Sequence, residues 1–221
     1  MSCGRYWADS GDFRLIGGLP CRMSTPQRRD VGHGLIDDHR TVAWENRGMA
    51  GDVAGEFLCS ICGERHALSL SYSVKAPKPA GEVSAAEQAA RVEMTKDQCV
   101  IDGSKFYLRG RIPIPVHGLE EPFIWGVWAE VSPKTYLRAD AMWKVEGREN
   151  EPVFTGYLAT EMPVYGNTID LEVDVQTQRV GRRPHFFVQD PLHPIAVEQR
   201  EGISLGRVQE IAEMVLHPGR P

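Results

Sequence analysis

Ile169, Leu171, Val173 and Val175 alternate with Asp170, Glu172, Asp174 and Gln176. A period of two places all four apolar side chains on one face of an extended strand and the polar ones on the other, so this segment has to cover a core on one side only. The neighbouring segments repeat the message in other forms. Phe123-Ile124-Trp125-Gly126-Val127-Trp128-Ala129-Glu130-Val131 has the aromatic and β-branched content of a central strand. Cys99 to Asp102 and Lys105 to Arg109 read as a hairpin turning at Gly103-Ser104. Pro113 and Pro115 alternate with Ile112, Ile114 and Val116, which suits a sheet edge because proline removes donors on one side. Val153 to Leu158 and Phe186 to Val188 are further strand candidates.

Helices are expected at intervals between these strands. Ser84-Ala85-Ala86-Glu87 has the spacing of a capping box and predicts a helix over about 84–95. Ser132-Pro133 supplies an N-cap followed by proline and predicts a helix over about 133–146. Ser204 opens a last helix whose Leu205, Val208, Ile211, Ala212 and Val215 fall on one stripe, stopped by Pro218-Gly219. Grouped strands with two to three helices predict an α+β fold on a mainly antiparallel sheet, with a small CxxC hairpin attached.

The first fifty residues are different. They hold seven Arg, no Lys and seven Gly, with apolar residues at neither period. Residues 1–50 are therefore expected to be a leader, either a disordered tail or a stretch lying upstream of a start at Met49, and 51–221 a single domain. In that domain 24 acidic side chains outnumber 18 basic ones. The whole chain of 221 residues carries a formal charge of −5, which argues against holding nucleic acid through phosphate neutralisation. No apolar run is long enough to cross a bilayer, and MSCGRYWADS lacks the order of a secretory signal. Five Cys is an odd and sparse count for a disulfide framework, so a reducing cytoplasm is the expected compartment.

The sharpest chemical feature is Cys59-Ser60-Ile61-Cys62-Gly63-Glu64-Arg65-His66. Two thiols two residues apart, with glycine directly after the second, have the spacing of a zinc knuckle, in which a tight turn aims both sulfurs inward. His66 is a candidate third ligand. A structural site needs a fourth, for which Cys99, His193 and His117 are candidates and Cys99 is the softest. A redox dithiol and two plain hairpin cysteines are the competing readings; Gly63 and the short Leu68-Ser69-Leu70 alternation do not resemble the strand-to-helix setting of a redox pair.

Trp125 and Trp128 lie three apart on a presumed strand and point to opposite faces, as core residues or as the cover of a groove. Arg109 ends an apolar strand, as a buried ion-pair partner or an anion clamp. His193 sits between Pro191 and Pro194, as a ligand, an acid–base group or a plain loop histidine. Together Arg109, Trp125, Trp128 and His193 define an expected binding surface. The signatures GxSxG, GxxxxGK[ST], HExxH and GxGxxG before a helix are missing from the sequence.

These segments, taken together, resemble the bacterial family of uncharacterised proteins DUF2199. The resemblance is carried by CSICGERH at 59–66, DQCVIDGSKFYLRGRIPIPV at 97–116, FIWGVWAEVS at 123–132, FTGYLATEMPVYGNTIDLEVDV at 154–175, RRPHFFV at 182–188 and HPIAVEQREGIS at 193–204. It spans about 57–217 and is looser between 71 and 90. It implies that Cys59, Cys62, His66, Arg109, Trp125, Trp128 and His193 occupy motif positions, and it brings no assigned activity. Two functional expectations follow. One is a module that binds a partner, expected to be a protein, and carries a structural zinc ion in its knuckle. The other is a metal-dependent hydrolase-like enzyme in which Cys59, Cys62 and one histidine leave a position open for water, with Glu64 or another carboxylate as base.

Overall fold

A computed structural model describes residues 44–45 and 53–219. The expectations for the remainder of the 1–50 leader, and for a start at Met49, lie outside the described residues. Trp44–Glu45 forms a short strand, β1. The CxxC hairpin follows as β2 (Val53–Leu58) and β3 (Arg65–Ser69), and then β4 (Ser71–Val74). Two short helices, α1 (Lys78–Glu82) and α2 (Gln88–Arg91), lead to β5 (Val92–Met94), β6 (Gln98–Ile101), β7 (Lys105–Ile114) and β8 (Phe123–Val131). Helix α3 (Pro133–Ala141) precedes β9 (Phe154–Leu158), β10 (Glu172–Gln176) and β11 (His185–Val188). Helices α4 (Pro194–Glu201) and α5 (Leu205–Leu216) complete the chain. No helix among the described residues is long and apolar enough to cross a membrane.

The expected α+β architecture is corrected by the strand pairings. β7 pairs antiparallel with β8 from Phe106↔Val131 to Ile114↔Phe123. β8 to β9, β9 to β10 and β10 to β11 are antiparallel in turn, and β11 returns to β7 in parallel through His185↔Arg111. Five strands therefore close into a barrel. With an odd number of strands running up and down, the closing pair has to be parallel, because the first and last strands point the same way. The rest of the sheet is appended to this barrel: β4 runs parallel to β8, β1 pairs with β4, and β6 and β5 extend from the start of β7. The protein is mostly sheet, with few and short helices.

Local rules held where a side chain could satisfy a backbone group. The hydroxyl of Ser132 accepts from Thr135 N at 3.1 Å and starts α3, and that of Ser204 accepts from Arg207 N at 3.2 Å and starts α5. The helix expected over 84–95 shrinks to α2. Ser84 Oγ instead donates to the Glu87 carboxylate at 2.6 Å, and from Val92 the chain is drawn into β5 against β6. Tertiary strand pairing overrides the local helix signal there.

Ile112, Trp125, Val127, Leu158, Val173, Val175 and Phe186, all fully buried, belong to the main core, which continues under α4, α5 and the CxxC hairpin. A second, smaller cluster joins Val74, Ala80, Cys99, Ile101, Tyr107, Trp128 and Ala159. The barrel is tight at one crossing in particular, where a Cβ on Gly110 would fall 2.3 Å from the Phe186 ring. The ring is fully buried and has nowhere to retreat. Gly110→Ala is expected to destabilise the domain by about 1–3 kcal/mol in urea unfolding, as overpacking does. Gly81→Ala, where an added Cβ meets nothing within 4 Å inside a helix, should be neutral or stabilising by up to about 1 kcal/mol.

Candidate metal centre

The hairpin of β2 and β3 holds Phe57 opposite His66 and Leu58 opposite Arg65. Between them the chain turns back on itself: Cys59 N donates to Glu64 O at 2.8 Å and Gly63 N donates to Cys59 O at 3.0 Å. The turn needs a left-handed residue, supplied by Gly63 at φ +75°. This folding brings both sulfurs to the same side of the loop as His66, whose Nε2 lies 3.1 Å from Cys62 Sγ.

The fourth group comes from the far end of the chain. His217 directly follows α5, its backbone N–H donating to Glu213 O at 3.0 Å. Its ring meets that of His66 at 5.6 Å between centroids. One ligand atom from each of Cys59, Cys62, His66 and His217 lies within 4.8 Å of the other three, close enough to hold one metal ion. Donors of a tetrahedral zinc site, at about 2.3 Å for sulfur and 2.0–2.1 Å for nitrogen, stand roughly 3.3–3.8 Å apart, so the grouping requires only small side-chain adjustment. His217 Nε2 is buried and has no hydrogen-bond partner among the described residues. A buried ring nitrogen of this kind is free to serve as a donor.

The pose of α5 is held from both sides. Glu213 accepts from Ser60 N at 2.7 Å and from Ser60 Oγ at 2.8 Å, which ties the helix to the CxxC turn. The Ser60 backbone hydrogen bond, the largest cause, holds the Glu213 carboxyl below its ordinary range. At the other end Arg207 Nε donates to Glu198 of α4 at 2.8 Å, and Glu198 accepts from Tyr165 Oη at 2.5 Å. Trp125 Nε1 in turn donates to Tyr165 Oη at 3.2 Å, linking the barrel interior to both terminal helices.

Of the metal ligands expected from the sequence, Cys59, Cys62 and His66 come together and Cys99 does not. Cys99 is fully buried in the second cluster, on β6 opposite Tyr107. Burial pushes its thiol up to about 11. His193 caps α4, its Nδ1 accepting from Ile195 N at 3.3 Å, and His117 Nε2 pairs with Glu201 O at 2.9 Å. His217 was missed because it stands outside every local pattern; a histidine at the end of an amphipathic helix, just before Pro218-Gly219, was the one available sign.

The expected binding surface is interior for three of its four residues. Trp125 and Trp128 are 0% exposed and Arg109 is 2% exposed. The two tryptophans do point to opposite faces, but each face is a core, one in the main cluster and one in the second. Arg109 stacks over Trp128 at 5.7 Å and its Nη2 donates to Val74 O at 2.6 Å, so it anchors the end of β4.

A family model described as an uncharacterized protein conserved in bacteria, DUF2199, matches residues 58–203. The chain belongs to this family. No curated protein and no solved structure matches it. The match to DUF2199 begins one residue before Cys59 and takes in three of the four grouped donors, whereas His217 and α5 lie beyond it. In this DUF2199 protein the group is thus completed by a segment outside the matched residues.

The thiols should differ sharply in reactivity. At pH 7 a group with a pKa of about 11 is thiolate in roughly one molecule in ten thousand. Treated with chelator and iodoacetamide and read by peptide mass spectrometry, the half-buried Cys62 should be alkylated in the native protein, and the buried Cys59 and Cys99 only after denaturation.

Proposed function

We propose that this DUF2199 protein is a binding module whose terminal helix is fastened to its CxxC hairpin by one structural zinc ion. Cys59, Cys62, His66 and His217 would hold the ion, and its contribution is folding free energy rather than chemistry. The observation that carries this reading is the completeness of the donor set: two sulfurs and two imidazoles, one of them with a buried nitrogen that nothing else among the described residues satisfies. A hydrolytic site needs a position left open for water, and four protein donors leave none. The cytoplasm is the compartment we assign, because Cys59, Cys62 and Cys99 are all free thiols. The partner is proposed to be a protein; with Arg109, Trp125 and Trp128 interior, it would have to meet other residues than these.

Purified protein should contain stoichiometric zinc by elemental analysis. His217→Ala and Cys59→Ser should each remove it and lower the melting temperature, whereas Cys99→Ser should keep it. Glu213→Ala, which releases Ser60, should weaken zinc affinity by about tenfold to a hundredfold, as loss of an outer-shell partner does. Cobalt substituted for zinc should give the intense visible bands of a tetrahedral two-sulfur site. A weak five-coordinate spectrum, together with metal retained in His217→Ala, would instead select the open, hydrolase-like site.

A further inference from the structure

A cavity of about 420 Å³ opens on the outer side of the barrel, where β4, β7 and β8 meet the loops after α3 and before β11. Its lining is unusual for an acidic chain. Arg111, Arg148, Arg182 and Arg183 face a single carboxylate, Asp97, among the described residues. That carboxylate is already engaged, with Arg183 Nε 2.5 Å from Asp97 Oδ1.

Arg148 sets the character of the site. It is 3% exposed, and its guanidinium donates to Gln178 O at 2.7 Å, Trp143 O at 2.9 Å and Arg182 O at 2.7 Å. Those three acceptors are neutral carbonyls, and no carboxylate among the described residues makes an ion pair with it. Burial disfavours its charged form and is the main cause that lowers its pKa, yet an arginine stays protonated at any ordinary pH. The result is a buried positive charge at the wall of a concave site, attracted by the Asp97 and Glu149 carboxylates but in an ion pair with neither. Arg182, at the exposed rim, likewise has no side-chain partner among the described residues.

We propose that this cavity binds a small phosphorylated organic anion of mononucleotide size. Planar guanidinium forks match phosphate oxygens in pairs, and the cations of the lining among the described residues are all arginine. The Ser71 and Ser73 hydroxyls on β4 add neutral donors to the same lining. The volume lies in the range of about 300–1,000 Å³ typical of small-ligand sites and is too small for a polymer. Trp143, held by Arg148 stacked over it at 4.9 Å, places an indole in the same wall, a surface suited to a flat base.

The test is calorimetric titration of the full chain with AMP, inorganic pyrophosphate, adenosine, citrate and a Glu-rich peptide at about 0.15 M salt. AMP is expected to bind one to one at submillimolar concentration, with pyrophosphate weaker and adenosine silent. Arg182→Glu, at an exposed position that leaves the fold intact by circular dichroism, should weaken AMP by at least about tenfold. Asp97→Asn, which removes the one carboxylate of the lining among the described residues, should strengthen it or leave it unchanged. No saturable binding of AMP or pyrophosphate would overturn the proposal, as would AMP binding indifferent to Arg182→Glu. Citrate or the peptide binding as tightly as AMP would overturn the assignment to phosphate.

Discussion

Strand β7 pairs with β8 along one edge and with β6 and then β11 along the other, and that change of partner is what closes the barrel. An antiparallel meander left to itself ends in two open edges. Here the return of β11 to β7 in parallel removes one pair of edges and encloses the main core, while the first half of β7 stays committed to β6. Inside and outside are defined by this closure. Trp125 falls inside and Trp128 outside, and because α1 and β6 cover the outer face as well, both end without exposure.

From the barrel the order is passed outward by polar contacts. Trp125 donates to Tyr165, Tyr165 to Glu198 on α4, and Arg207 on α5 pairs with the same carboxylate. Hydrogen bonds to charged groups contribute about 1.5–3 kcal/mol each when shielded from water, so two of these three links are of the stronger kind. Val208, Ile211 and Ala212 seat the helix by burial, and the polar links fix its direction. Its end then reaches the CxxC turn, where Glu213 meets Ser60 and His217 meets the sulfurs. A donor contributed by the end of the chain thus depends on packing set by strands far away in sequence.

The sequence made the strands legible one by one and left their closure hidden. The β6–β7 hairpin, the central place of β8 and the caps of α3 and α5 each rest on neighbours within a few residues, where propensity and hydrogen-bond geometry act directly. Closure rests on fits such as Gly110 under Phe186, between residues that no local period connects. The same divide runs through the metal group. Cys59, Cys62 and His66 share one turn and could be read together, but the fourth donor depended on where α5 lands. Cys99 is the softest candidate donor by residue type, but its place on a buried strand opposite Tyr107 is decided by sheet register, which composition does not reveal. Helix α4 was overlooked for a related reason: a histidine between prolines reads as loop until its ring is seen capping Ile195 N.

The choice of donor also has a thermodynamic logic. A ligand on β6 would tie the hairpin to a strand already fixed by pairing on both edges, restraining little that the sheet has not restrained. A ligand just past α5 restrains the C-terminal end of that helix, where helices fray. Linking Cys59 to His217 also closes nearly the whole domain into a single loop. The entropy removed from the unfolded chain grows only slowly with loop length, by about 0.6 kcal/mol per doubling, so the larger effect of the proposed ion is local. It would hold α5 against the main core, adding to the contacts that Glu213, Gln209 and Arg207 already make for the helix of Val208, Ile211 and Ala212.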